Sequence, residues 1–504
     1  MSLGAVLSLV SQMINIIVGL VFTPIMIRIM GQNEFGLYQL VLSVVNYLNL
    51  MNLGFNGAYI RYYSLAKLKG EKEVSNINGM FFSVFCIIAT LCVFAGGVLY
   101  QNIQILGEYL TPADYVIAKR LMVYMVLNVA ISFPNSLLVA YMFANERFVF
   151  YRALMIVTSI VLPALKIPIL LLGYGSVGIV VVTFLLTVFR FVVNFIYCRR
   201  RLKMEIRYGY FDKTIFGDLL KFTFFIFLSD LVDQLNSNVD KLLLGRMMGT
   251  IAVALYSVAF TLKGYYTTMT WIIPEVYIPA VNRAIVEENS MEKANAIFVQ
   301  IGRINNALTL LVISGFFVFG QTFIRLWVGE EYSVSFYATL MLMISGYIPA
   351  VQTMGTNIQG AMNRHQMRSV VYFGIACVNV AASVFLIDRW GVIGTCMGTL
   401  FASLLGHGLF MNVYYHKRIR LNIWFFWKEM ARWYPAVAVL TAASIWIVGR
   451  MEMSGWLDLV LGILAYTCVY FVLILLFGIN TEERAFLREK GNAIRKILDR
   501  RKEN

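Results

Sequence analysis

Three histidines and six cysteines are spread through 504 residues, and no glycine-rich phosphate loop is present. Each scarcity closes off a class of chemistry. His365 and His416 stand at the ends of apolar runs, and His407 stands alone inside one. A lone imidazole there reads as a hydrogen-bonded core residue, so no acid/base centre is built on histidine. The cysteines (Cys86, Cys92, Cys198, Cys377, Cys396 and Cys468) all lie within apolar runs and lack metal-ligand spacing. They read as small core residues, not as disulfides or a redox centre, and no cofactor or metal is expected. Without a phosphate loop, ATP is not the direct energy source. Long polar connections are missing too, which leaves no room for a soluble domain. The first residues have neither a charged leader nor a small-residue cleavage site, so the opening apolar stretch is expected to remain as a helix.

What is abundant is apolar sequence. Hydrophobic residues make up 60%, charged residues 14%, and the mean hydropathy is +0.73. The apolar residues come in runs near the length that crosses about 30 Å of hydrocarbon. About fourteen spans are expected, at 3–27, 36–60, 77–99, 116–143, 151–172, 177–198, 216–245, 251–281, 298–320, 336–361, 369–387, 392–415, 431–449 and 457–478. The net charge of +15 does not point to nucleic acid, because the cations sit in short loops between spans. With the N-terminus in the cytoplasm, one side gathers Lys67, Arg147, Arg199 to Arg201, Arg283, Arg303, Arg364, Arg418 and the tail. The other side holds only Arg28, Arg246, Arg325, Arg389 and Arg450. Both termini are therefore expected to be cytoplasmic.

The chain also repeats itself. Arg28 to Gly31, Leu37-Tyr38 and Tyr47 recur as Arg246 to Gly249, Leu255-Tyr256 and Tyr265, at a constant offset of 218 residues. Asn145 and Asn363 share that offset, while Gly175, Gly178 and Thr183 recur as Gly391, Gly394 and Thr399 at 216. The expected fold is an all-α polytopic membrane protein of two parallel-repeat six-helix bundles plus two C-terminal helices. The expected divisions are 1–203, 204–420, 421–480 for the two added helices and 481–504 for a basic cytoplasmic tail.

Within this frame the run from Phe216 to Met248 stands out. Asp230, Asp233, Asp240 and Lys241 fall within an arc of about 100° when it is wound as a helix. Leu228, Val232, Leu235 and Val239 take the opposite side. A charge facing lipid at mid-bilayer costs about 2.5–3.5 kcal/mol or more, so this face needs water or other helices. Asp230 and Asp233 need partners, protons or a cation. For Asp240 and Lys241, a pair with Arg246 stands beside a role in a cavity. Lys166 lies between Pro163 and Pro168, where a broken helix would open a ligand site, or the lysine would satisfy carbonyls freed by the prolines. Arg190 and Lys263 lie too deep to snorkel and read as interior. Glu275, flanked by Pro274 and Pro279, pairs with an interior cation or lies at a gate. Arg61, Lys119, Arg120 and Lys221 read mainly as snorkelling cations, with Arg61 kept as a cavity candidate. Buried cations suit an anionic cargo such as a diphosphate, and interior carboxylates suit proton or sodium coupling. Both sets are present.

Certain stretches resemble a known family. Gly31-Gln-Asn-Glu34-Phe35-Gly36-Leu37-Tyr38 resembles the junction after the first span of the polysaccharide transporter family, the O-antigen and exopolysaccharide flippases. Leu53-Gly54-Phe55 with Ala58 and Arg61, and Asp240-Lys241 with Leu244-Gly245, Gly249 and Leu255-Tyr256-Ser257, resemble the same family. The resemblance covers essentially the whole chain and implies a multidrug-and-toxin-extruder-like fold. It implies movement of an undecaprenyl-diphosphate-linked oligosaccharide to the outer leaflet of a bacterial cytoplasmic (inner) membrane. Membrane lipid, a glycan polymerase and other surface-polysaccharide proteins would then be partners. Basic residues would face the diphosphate, with Arg190, Lys166 and Lys263 as candidates. Two rivals remain: a cation-coupled multidrug exporter on the same scaffold, and an integral-membrane glycan-modifying enzyme.

Overall fold

The computed structural model describes residues 3–286, 290–362, 364–451, 453 and 455–478. The tail at 481–504, Asn363 and the side chain of Lys221 lie outside the described residues. Among those described, every regular element is helical. The first half comprises α1 (Leu3–Asn46), α2 (Phe55–Lys69), α3 (Glu71–Gln101), α4 (Pro112–Ala144), α5 (Phe148–Leu171) and α6 (Gly175–Ile196). The second comprises α7 (Lys213–Met248), α8 (Thr250–Val286), α9 (Ser290–Trp327), α10 (Val334–Val351), α11 (Thr353–Ala361) and α12 (His365–Ser403). A short helix, Ile423–Ala431, precedes two more at Tyr434–Val448 and Trp456–Leu473.

Among the described residues ten stretches are long and apolar enough to cross a bilayer, and two of them, Gln12–Lys69 and Met367–Ile419, are long enough to cross twice. Helices α7 and α8 stand outside the ten, yet their 36 and 37 residues suffice for a span. Their interiors carry the charges singled out above. This accounts for about fourteen crossings. The protein is an all-helical, multi-pass membrane protein.

The repeat is visible in the backbone. Gly31 interrupts α1 at φ 75°, ψ 171°, and Gly249 separates α7 from α8 at φ 85°, ψ −173°. Gly175 and Gly391, the other duplicated pair, sit at φ 54° and 55°. Side chains rarely adopt these angles, so each half has a glycine where its first span must stop and the next begin. The residues after Gly31 then lock the joint. Glu34 Oε1 accepts both the backbone N–H and the hydroxyl of Ser176 at 2.6 Å, capping the start of α6. Asn33 donates to Asp114 at 3.1 Å, and Asp114 also closes the capping box of α4 with Thr111. Phe35 and Leu37 are fully buried. A methyl on Gly36 would overlap the carbonyl oxygen of Thr250 and lie 3.3 Å from Cβ of Ala254. Ala254 is the repeat mate of Gly36, so the two copies of the joint pack on each other at equivalent positions.

Three expectations need correction. Span two is not one helix over 36–60: a 3-10 turn at Tyr47–Asn52 leads into Leu53 at φ 49° and Gly54 at φ 68° before α2 begins. Helix α5 is unbroken through Pro163 and Pro168. Arg303, grouped with the loop cations, is a buried residue of α9.

By contact density the chain forms two units. One takes Met1–Thr268, Tyr337–Ser345 and His365–Leu409; the other takes Met269–Phe336, Gly346–Arg364 and Phe410–Asn504. This grouping by contact and the grouping by repeat are different partitions of the same helices. The first unit has an aromatic core that includes Phe55, Tyr59, Phe81, Phe85 and Phe133. In the second, α9 packs against the last three helices, and its ion pair from Arg303 to Glu429 is 2.6 Å long and almost fully buried. Phe298 stacks on Phe426 with centroids 4.3 Å apart beside that pair.

Candidate functional site

The polar side of α7 is not uniform along its length. Toward its C-terminal end it is enclosed. Asp240 is fully buried and Lys241 nearly so. Asp240 accepts from Tyr256 of α8 at 2.8 Å, from Thr399 at 3.2 Å and from Ser383 at 3.3 Å, the last two on α12. Ser383 also lies 3.3 Å from Asn379 Oδ1, and the hydroxyls of Ser383 and Thr399 reach the carbonyl oxygen of Thr395. Glycines make this convergence sterically feasible. A methyl on Gly398 would crowd the Ser383 backbone and hydroxyl, and one on Gly394 would overlap the carbonyl of Leu386. The two segments of α12 on either side of Gly391 therefore approach closely enough to share Asp240.

Lys241 turns the other way. It donates to Gln39 of α1 at 3.3 Å, and its ammonium stands 5.0 Å from the centre of the Phe260 ring. Lys263 stands 5.6 Å from the same ring. Two cations thus share one aromatic ring, an arrangement that holds them by the ring quadrupole without neutralising them. Asp240 forms its bonds with hydroxyls and not with Arg246, so the pairing with that arginine is not made.

Toward the middle of α7 the same side lies open. Asp230 and Asp233 are exposed, and neither makes an ion pair or hydrogen bond among the described residues. The charges acting on Asp233 are those of Arg368 and Asp230, and Arg368 itself lies over the Tyr372 ring at 4.9 Å. Tyr372 packs edge-on to His407, which places that lone histidine in an aromatic contact.

The remaining candidates are dispersed. Lys166 is buried with its ammonium 5.7 Å from the Phe22 ring of α1. Its helix is continuous, so neither a break nor a bond to a freed carbonyl accounts for it. Arg190 is half-buried and donates to the sulfur of Met155 at 2.9 Å. Arg61 and Glu275 are exposed, and Glu275 pairs with no cation among the described residues. The structure gathers Asp240, Lys241 and Lys263 into one cluster, leaves Asp230 and Asp233 along the same face, and keeps Lys166, Arg190, Arg61 and Glu275 elsewhere.

Sequence reasoning passed over Asn379, Ser383 and Thr395, used Thr399 as a marker of the repeat, and used Tyr256 as a marker of the repeat and of the family resemblance. Asn379 and Ser383 are four residues apart in an apolar span, a small polar stripe that was available as a signal. Together with one carboxylate they form a set of oxygen donors only. Such a set fits a hard monovalent cation or a proton better than a soft or redox metal. Among the described residues no group of three or more His, Cys, Asp and Glu side chains is placed to hold a metal.

Comparison with solved structures shows the fold. A lipid II flippase, MurJ, in an inward closed conformation aligns over 97% of this chain and 99% of its own, with a TM-score of 0.72 and 14% identity. Multidrug resistance MATE family transporters of the MOP superfamily align over 80% of this chain. The inward-facing one has a TM-score of 0.59 at 14% identity and 96% coverage of its own chain; the outward-facing one has 0.57, 13% and 94%. Curated protein sequences yield no match. The family described as "Polysaccharide biosynthesis protein" matches residues 3–285, more than half of the sequence and all of α1 to α7. The chain belongs to the polysaccharide biosynthesis protein family.

Proposed function

We propose that this protein is a flippase. It moves an undecaprenyl-diphosphate-linked oligosaccharide from the cytoplasmic to the outer leaflet of a bacterial inner membrane, with both termini in the cytoplasm and surface-glycan enzymes as partners. One observation carries the reading: a polysaccharide-biosynthesis family sequence over residues 3–285 is joined to described residues that are mostly helices long enough to span a membrane. The described residues offer a soluble glycan enzyme no domain to occupy, whereas a lipid-borne glycan crosses between leaflets alongside such helices. Asp230 and Asp233 add a physical reason. Ionised carboxylates in a span are rejected by lipid at about 2.5–3.5 kcal/mol each, so water runs beside this part of α7. The cargo's head group takes that hydrated path while its lipid tail stays in the bilayer.

Two cations of the same cluster, Lys263 and Lys241, stand over one aromatic ring and would meet a diphosphate, with the charge of Asp240 acting on Lys263. Asp240 serves coupling: its oxygens, with those of Asn379, Ser383, Thr395 and Thr399, take up sodium. Its burial, against the openness of Asp230 and Asp233, favours an ion site over cargo contact.

Deleting the gene should remove a surface glycan and leave drug sensitivity unchanged. Replacing Asp230 and Asp233 together by asparagine should cut export at least tenfold, with membrane insertion intact as measured by protein level in the membrane fraction. Full export by that double variant removes the role assigned to α7. Drug hypersensitivity with an intact glycan would instead favour the multidrug exporter.

A further inference from the structure

The segment joining the two halves is not a slack tether. It forms a pocket of about 580 Å³ against the start of α3, lined by Ser75, Arg199, Lys203, Glu205 and Arg207 together with Met204 and Ile206. Its walls are fixed by backbone. Arg207 N–H donates to the Ser75 carbonyl at 3.1 Å, and Asn78 donates to the Glu205 carbonyl at 2.9 Å. Tyr141 donates to the Leu202 carbonyl at 3.3 Å. A methyl on Gly79 would overlap the carbonyl of Arg207, so irregular linker backbone lies directly on the helix. Lys203 is held at φ 51°, an unusual angle for a side chain that the surrounding bonds maintain. Arg199 donates to the Met204 carbonyl at 2.7 Å, which folds the segment back on itself.

The result is a shallow, open depression whose backbone is fixed and whose rim has three exposed cations and one exposed carboxylate. Its position decides which anion it suits. It lies where the apolar part of α3 begins and just past the end of α6, so, with both helices read as spans, it stands at the level of the headgroups. A phosphate fixed in that layer reaches the pocket without leaving the membrane. Arg200 and Arg201, both exposed, add to the positive field at the same level.

We propose that this pocket binds the phosphate of an anionic phospholipid, which pins the linker between the two repeats. The proposal is independent of the cargo. Each basic residue near an anionic leaflet contributes about 1 kcal/mol, so losing two should weaken retention by about tenfold or more. The test uses the full-length protein purified in detergent with phosphatidylglycerol, and counts bound lipid by native mass spectrometry. Lys203→Gln with Arg207→Gln should lose the bound phosphatidylglycerol, whereas Lys67→Gln with Lys69→Gln, which removes the same charge from exposed sites on α2, should not. Trypsin gives a second readout that does not require a variant. In nanodiscs, phosphatidylglycerol should slow cleavage between Arg199 and Arg207 relative to phosphatidylcholine alone. Equal retention by both double variants, or equal loss from both, overturns the assignment. Protection by inorganic phosphate as strong as that by phosphatidylglycerol would also overturn it, by pointing to a soluble phosphate compound.

Discussion

The first spans of the two halves, α1 and α7, have the same joint and opposite interiors. Both end in Arg-x-x-Gly with the glycine at φ 75° or 85°. At the positions equivalent to Asp240 and Lys241, however, α1 carries Phe22 and Thr23, and Val45 answers to Lys263. At the same offset, buried Arg303 answers to Phe85, also buried. Twice, then, the second half has an enclosed charge where the first has a phenylalanine. Lys166, the enclosed cation of the first half, lies over Phe22 itself. The duplication preserved the backbone that shapes the fold and let the chemistry diverge. Glycines at positive φ are held in place by geometry in both copies, whereas the enclosed charges Asp240 and Arg303 stand where hydrogen bonds or an ion pair hold them.

The sharpest way to break this contrast is to remove an enclosed charge from the second half. Arg303 and Glu429 pair at 2.6 Å, and Arg432 also reaches Glu429 at 2.9 Å but is half-exposed. Removing one partner of a buried pair typically costs about 3–5 kcal/mol, because the survivor is left without compensation. Arg303→Met alone should therefore lower the thermal stability of the purified protein strongly. Arg303→Met with Glu429→Leu should recover most of it. If the single variant is as stable as the wild type, the pair does not organise α9, and the phenylalanine of the first half is an equivalent solution.

A smaller effect tests the shared joint. Gly36→Ala drives a methyl into the Thr250 carbonyl, and overpacking of this kind costs about 1–3 kcal/mol. The reciprocal change, Ala254→Gly, adds no atoms and should cost about 1 kcal/mol, the helix-propensity difference. Thermal unfolding in detergent would compare them. A loss no larger at Gly36→Ala than at Ala254→Gly would contradict the close backbone approach at Gly36.

These contrasts mark what was legible beforehand. The spans and the glycine joint were readable because hydrocarbon and backbone geometry act on composition and on glycine directly. Gly31, Gly249, Gly175 and Gly391 all stood out as repeated positions before their angles were known. The interruption at Leu53-Gly54 was less legible, since the resemblance marked those residues without showing that span two breaks there. Asp240 was visible as a charge, but its partners were not. Asn379, Ser383 and Thr399 lie more than a hundred residues away, and ordinary apolar spans contain such hydroxyls for local reasons, as Thr183 shows by bonding the Ile179 carbonyl four residues back. The Arg303 and Glu429 pair was missed for the same cause. Both lie near span ends, where a lysine or arginine is normally at the surface.

The mildest test separates the halves by ligand. If Asp240 and its neighbouring oxygens take up sodium, the ion binds the folded state and stabilises it in proportion to its saturation. At ten times the dissociation constant the gain is about 1.4 kcal/mol. Replacing choline by sodium should raise the melting temperature of the wild-type protein, and Asp240→Asn should erase the rise. Phe22→Leu, at the matching place in the first half, should leave it intact. A rise that persists in Asp240→Asn would move the ion elsewhere, with Asp230 and Asp233 next in line because they are open carboxylates on the same face. A rise lost in Phe22→Leu but kept in Asp240→Asn would instead make the first half the seat of coupling, acting through the contact between Phe22 and Lys166. The direction of the sodium effect in these two variants therefore decides whether divergence between the repeats concentrated the chemistry in one of them.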